Sequence, residues 1–133
     1  MLALVALAAM GCVQFFRKVA GSNRVYGPSY MVISAICIAV FGAGIHIVDG
    51  RAFELSLEMT GLASLGGAIA GIGIFSILLA FKRSGEGSVL FPIAGLSVLV
   101  AVALSIVVYQ EAVTGAKIVG MGLGVISITM LSR

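Results

Sequence analysis

Five apolar segments, at residues 1–16, 30–48, 60–81, 89–109 and 116–131, take up nearly the whole chain. Their odd number constrains the fold more than their hydrophobicity does. An odd count of membrane crossings puts the two termini on opposite faces of a bilayer. It is the count expected of one half of an inverted repeat, completed by a second copy or a partner.

The membrane reading follows from composition. Hydrophobic residues make up 61% of the chain and charged residues 10%, against about 45–50% and roughly 25% in soluble domains. A helical span takes about 20 residues. The second, third and fourth segments are about that long and contain no Lys, Arg, Asp or Glu. The first and last are 16 residues each and draw on interfacial residues or a thinner bilayer. The runs are continuously apolar rather than alternating with period two, which predicts helices and not barrel strands. The expected fold class is therefore an all-α membrane protein, a single five-helix transmembrane bundle.

No polar stretch is long enough to fold alone; the longest is residues 17–29. The net charge of +3 sits in loops beside the bilayer, so it reads as a topology signal and not as a nucleic-acid surface. Cys12 and Cys37 lie inside apolar segments and read as packing residues, without a disulfide or metal role. Tyr26, Tyr30, Phe53, Phe81, Phe91 and Tyr109 stand at segment ends, where an aromatic belt places them. Ala9-Met10-Gly11-Cys12 has the outline of a lipoprotein cleavage site. No positive residue precedes the apolar run, as a signal peptide needs, so the segment is expected to stay as the first helix.

Loop one, loop three and the C-terminal tail carry six Lys/Arg residues (Arg17, Lys18, Arg24, Lys82, Arg83, Arg133); loop two and the last loop region carry two, Arg51 and Lys117. By the positive-inside rule the N-terminus is outside and the C-terminus cytoplasmic, in a cell (inner) membrane. This bias favours one fixed orientation over dual insertion.

Helices in lipid associate through close backbone approach, so small residues four apart mark contact faces. Ala63, Gly67 and Gly71 form one such stripe, Ser97, Ala101 and Ser105 a second, and Ala116, Gly120 and Gly124 a third. Pro92 is expected in the first turn of the fourth span, where its missing N–H is harmless, and no span is expected to break in its middle.

Polar residues are few. Gln14 is the only amide deep in a span and the best candidate to line a cavity, on even terms with a helix–helix hydrogen bond. Glu111 is expected to cap the last span, with proton coupling the lesser alternative. Lys117 is expected to snorkel outward, or else to pair with Glu111. His46 is an interfacial residue near Asp49. One His, two separated Cys and scattered acids offer no nucleophile–base pair and no metal set, so no enzyme activity and no cofactor are expected. Gly120, Gly122 and Gly124 lie in an apolar span and not on a strand-to-helix turn, which excludes a dinucleotide reading.

The motifs in order are VALAAMGCVQFFRKVAG, then GLASLGGAIAGIGIFSILLAF with the basic turn KRSGEGS. VLFPIAGLSVLVAVALSIVVYQE follows, with Pro92 near its start and Glu111 at its end, and AVTGAKIVGMGLGVISITMLS closes the chain. This series resembles an EamA-type repeat of the drug/metabolite transporter superfamily. It departs from that pattern in lacking a Trp in the first helix and a second Pro near Leu96 and Ser97. The resemblance implies ten helices as two inverted five-helix repeats that move metabolites, with single-repeat members that pair. It implies a cavity lined by the first, third and fourth spans, making Ser64, Ser76 and Ser97 lesser cavity candidates beside Gln14. Such hydroxyls more often bond their own backbone. The expected partners are the lipid bilayer, a small-molecule substrate, and a second copy or an oppositely oriented homologous subunit. The leading expectation is a half-transporter for a small metabolite or drug-like solute working by alternating access. The alternatives are a lipid-carrier flippase subunit and a non-transporting structural subunit.

The charge pattern makes a direct prediction. A reporter that works only in the cytoplasm, fused after Arg133, is expected to be active, and one that works only outside is expected to be silent. Activity of both contradicts a single orientation.

Overall fold

A computed structural model describes residues 1–53, 55–83, 85–110 and 114–131, without the side chains of Lys117, Ile128 and Leu131. Every regular element among the described residues is helical. The order is α1 (Leu2–Ser22), α2 (Gly27–Asp49), α3 (Leu57–Lys82), α4 (Gly87–Gly95), α5 (Ser97–Tyr109) and α6 (Gly115–Leu131). The first three helices are 21, 23 and 26 residues long, or about 32–39 Å at 1.5 Å per residue. Together with the α4–α5 stretch Gly87–Tyr109, they are long and apolar enough to cross a membrane, and α6 contains the shorter apolar stretch Ile118–Ser127. By helix length and composition this is a multi-pass membrane protein.

The chain forms two compact units, Met1–Arg83 and Ser84–Arg133. In the first, α1 and α3 meet near their C-terminal ends, and α2 packs antiparallel along α3. The buried core lies at that meeting point: Ala20, Leu78 and Phe81 are 7%, 5% and 3% exposed. Gly21 makes the contact possible. A Cβ placed on it would lie 2.5 Å from the Phe81 Cβ and 3.1 Å from the Leu78 carbonyl oxygen. Only a residue without a side chain admits the Phe81 ring so close to the α1 backbone.

Local chemistry ends these helices as their sequences require. At the end of α1, the Arg24 N–H donates to the Gly21 carbonyl and the Val25 N–H to the Ala20 carbonyl, both at 3.1 Å. Arg24 has φ 55°. This is a Schellman stop with an arginine where glycine usually sits. Pro28 stands in the first turn of α2, and Gly50 ends that helix at φ 63°, its N–H on the His46 carbonyl. The Ser56 Oγ accepts from the Met59 N–H at 3.1 Å and caps α3, with Glu58 in its first turn and Lys82 in its last. Both charges complement the helix dipole.

In the second unit α4 packs against α6 and leads into α5. Here the expectation for Pro92 is corrected. The helix starts at Gly87, so Pro92 lies inside α4 and not at its first turn. Its absent N–H leaves the Ser88 carbonyl without the usual helical donor, and the span breaks one turn later at Leu96. The Leu96 N–H is shared between the Pro92 and Ile93 carbonyls at 3.2 and 3.1 Å, and the Leu99 N–H closes a tight turn on the Leu96 carbonyl at 2.9 Å. Leu96 keeps right-handed helical angles, φ −61° and ψ −19°. The fourth span is therefore interrupted in its middle, at Leu96, but keeps helical backbone angles there.

The Gly21 contact predicts a specific sensitivity. Gly21→Val is expected to lower stability by about 1–3 kcal/mol through overpacking, read as a shift in the unfolding midpoint in detergent or bicelles. An unchanged midpoint contradicts the packing described.

Candidate functional site

An open groove of about 510 Å³ lies between α2 and α3 in the first unit. On α2 it is lined by Met31, Ser34, Ala35 and Ile38, and on α3 by Gly67, Ala70, Gly71 and Ile74. Both sets recur at three- and four-residue spacing, so each is one helix face. Small residues create the space. Gly67 has no neighbour within 4 Å of a built Cβ, while at Gly71 the Met31 methyl lies at 3.6 Å. Met31 thus closes one end of a groove that glycine and alanine leave open.

Among the described residues no charged residue lines the groove, and Ser34 is the single polar side chain in it. Such a surface holds hydrocarbon or an aromatic ring. It has no carboxylate to bind a cation and no cation to bind an anion.

The expected cavity residues are not gathered here. Gln14 is half-buried on α1, and its Oε1 accepts from the Arg17 Nη1 at 3.3 Å, one turn along the same helix. The Ser76 Oγ donates to the Ile72 carbonyl at 2.8 Å, the backbone bond expected of such a hydroxyl. Ser64 is exposed on α3, and Ser97 opens α5 in the second unit. Of the four glycines expected in helix packing, Gly67 and Gly71 line the groove. Gly120 and Gly124 lie on α6, with nothing within 4 Å of a built Cβ. Glu111 lies outside the described residues, as does the side chain of Lys117. His46 meets the Phe53 ring edge-on, centroids 5.2 Å apart. Among the described residues no group of three or more His, Cys, Asp or Glu could hold a metal ion.

Sequence reasoning marked the Gly67/Gly71 face but missed its α2 counterpart, Met31, Ser34, Ala35 and Ile38. The available signal was the run of small residues Ser34, Ala35 and Ala39 inside an otherwise bulky segment. No protein-family model, no curated protein and no solved structure matches the chain.

The open space at Gly67 separates it from Gly21. Gly67→Ala is expected to leave stability unchanged or raise it by up to about 1 kcal/mol, because alanine favours helix. A clear loss of stability at Gly67 contradicts the open groove.

Proposed function

We propose that this chain is one half of a paired membrane transporter, and that the solute it moves carries a substantial apolar part. The observation that carries this reading is the α2–α3 groove, open and lined by apolar side chains with a single hydroxyl. A groove of this chemistry between two spans offers a drug-like solute a path that hydrated lipid headgroups do not. The resemblance to a single EamA-type repeat supplies the frame, in which two five-helix halves pair and alternate between open states. Gln14, bonded to Arg17 one turn along α1, is in this reading a partner within the helix rather than the substrate's polar contact.

The same groove favours one second reading, a subunit of a lipid-carrier flippase, because an apolar trough beside the bilayer also accommodates an isoprenoid or acyl chain. The two readings differ in whether cargo crosses as a free solute or as a membrane lipid.

Reconstitution into proteoliposomes tests both. Filling the groove by Gly67→Trp is expected to slow movement of a lipophilic solute by roughly tenfold or more, about 1.4 kcal/mol on the barrier. Gly61→Trp, at a position with open space outside the groove, is expected to leave it unchanged. Loss of labelled-lipid scrambling with normal solute flux selects the flippase reading. Equal activity of both variants for both cargoes overturns the role of the groove.

A further inference from the structure

The packed end of the first unit gathers charge as well as apolar side chains. Arg17, Lys18 and Arg24 come from the end of α1 and its turn, and Lys82 and Arg83 from the end of α3. The Gly21–Phe81 contact holds these two ends together. No carboxylate among the described residues pairs with any of the five; Arg17 alone has a side-chain partner, the neutral Gln14. Arg24, Lys82 and Arg83 are exposed.

Beside these cations lies a second cavity, of about 230 Å³, lined by Val25, Tyr26, Pro28, Phe75, Leu79 and Lys82. Among the described residues Lys82 is its only charged lining residue, and Arg24 and Arg83 adjoin its lining in the chain. Gly27 lets the wall come close: a Cβ there would touch the Phe75 ring at 3.6 Å. An apolar slot with a cation at its edge, and two more beside it, has the two-part chemistry of a phospholipid. The phosphate goes to the cations and the first carbons of an acyl chain to the slot.

We propose that this end of the three-helix unit is a binding site for an anionic phospholipid, its phosphate on Lys82, Arg83 and Arg24 and its proximal acyl chain in the slot beside Phe75. The site is independent of the transport reading, because it is separate from the α2–α3 groove and requires only that the chain sit in a bilayer. The positive-inside rule explains why Lys and Arg lie on one side of a membrane. It does not explain why they flank an apolar slot on the packed end of one unit. Basic clusters beside spans attract anionic lipids and lose that attraction as salt rises.

The test is native mass spectrometry of the full chain with phosphatidylglycerol or phosphatidylcholine of matched chains, with inorganic phosphate as a third arm. Preferential retention of phosphatidylglycerol, weakened by salt, is the expected result. The double variant Lys82→Gln/Arg83→Gln is expected to lose that preference by roughly twenty-five-fold, about fivefold for each cation removed. Lys82→Arg is expected to keep it. Val25→Trp, which fills the slot without changing charge, is expected to weaken phosphatidylglycerol retention too. Equal retention of the two lipids by the wild-type chain overturns the proposal, and this arm holds even if a variant fails to insert. Inorganic phosphate competing as well as the lipid also overturns it, because the acyl slot then contributes nothing.

Discussion

A phenylalanine side chain seated on a glycine joins the first and third helices. In lipid there is no hydrophobic drive to bring apolar helices into contact, since the surrounding tails are as apolar as the side chains. What remains is close packing, and it depends on how near two backbones can come. Gly21 admits Phe81 and the Leu78 carbonyl to α1, and the buried residues of the unit, Ala20, Leu78 and Phe81, all lie at that contact. No other residue in the three helices is buried to that degree apart from Gly21 itself.

The unit is therefore sealed at one end and open along its middle. The sealed end fixes the α1–α2 turn, where the Schellman stop at Arg24 brings Val25 and Pro28 over Phe75 and Leu79. The middle carries the groove, where Gly67 and Ala70 face Ala35 and Ile38 with space between. At the opposite end of α2 the edge-on contact of His46 and Phe53 ties the helix to the loop that follows. A transporter half needs one firm junction and one surface free to meet cargo or another helix, and this division supports the proposed function. The exposed apolar faces along the groove also support pairing, because an apolar trough between two spans is filled either by lipid or by a second protein surface.

The spans themselves were legible in the sequence because a bilayer demands long uninterrupted apolar runs, and segments such as 30–48 and 60–81 meet that demand unaided. Their ends were less legible. The helix that reads as stopping at Phe16 runs on to Ser22, because Arg17 and Lys18 are good helix formers and the stop signal lies at Arg24. That extension places Gln14 two turns from the helix end, within reach of Arg17. Gly21 read as part of a polar loop for the same reason, and the central contact of the unit was missed with it. Pro92 was misplaced because the helix begins two residues before its apolar run, at Gly87. The groove was illegible for a deeper reason. Helices apolar on every face carry no stripe to say which side meets a neighbour, and only the scarcity of bulk at Gly67, Ala70, Ala35 and Ala39 hints at it. Ser76, a lesser cavity candidate from the sequence, bonds its own backbone, since a serine inside an apolar helix has an acceptor one turn back.

The central claim is that this chain works as one half of a pair. Cross-linking in native membranes, followed by mass spectrometry of the linked species, tests it most directly. The account predicts links from the groove face of α2 and α3 either to a second copy or to an oppositely oriented chain of five apolar spans, the arrangement of an inverted repeat. A chain that is recovered only as a monomer under conditions that link known membrane dimers contradicts it.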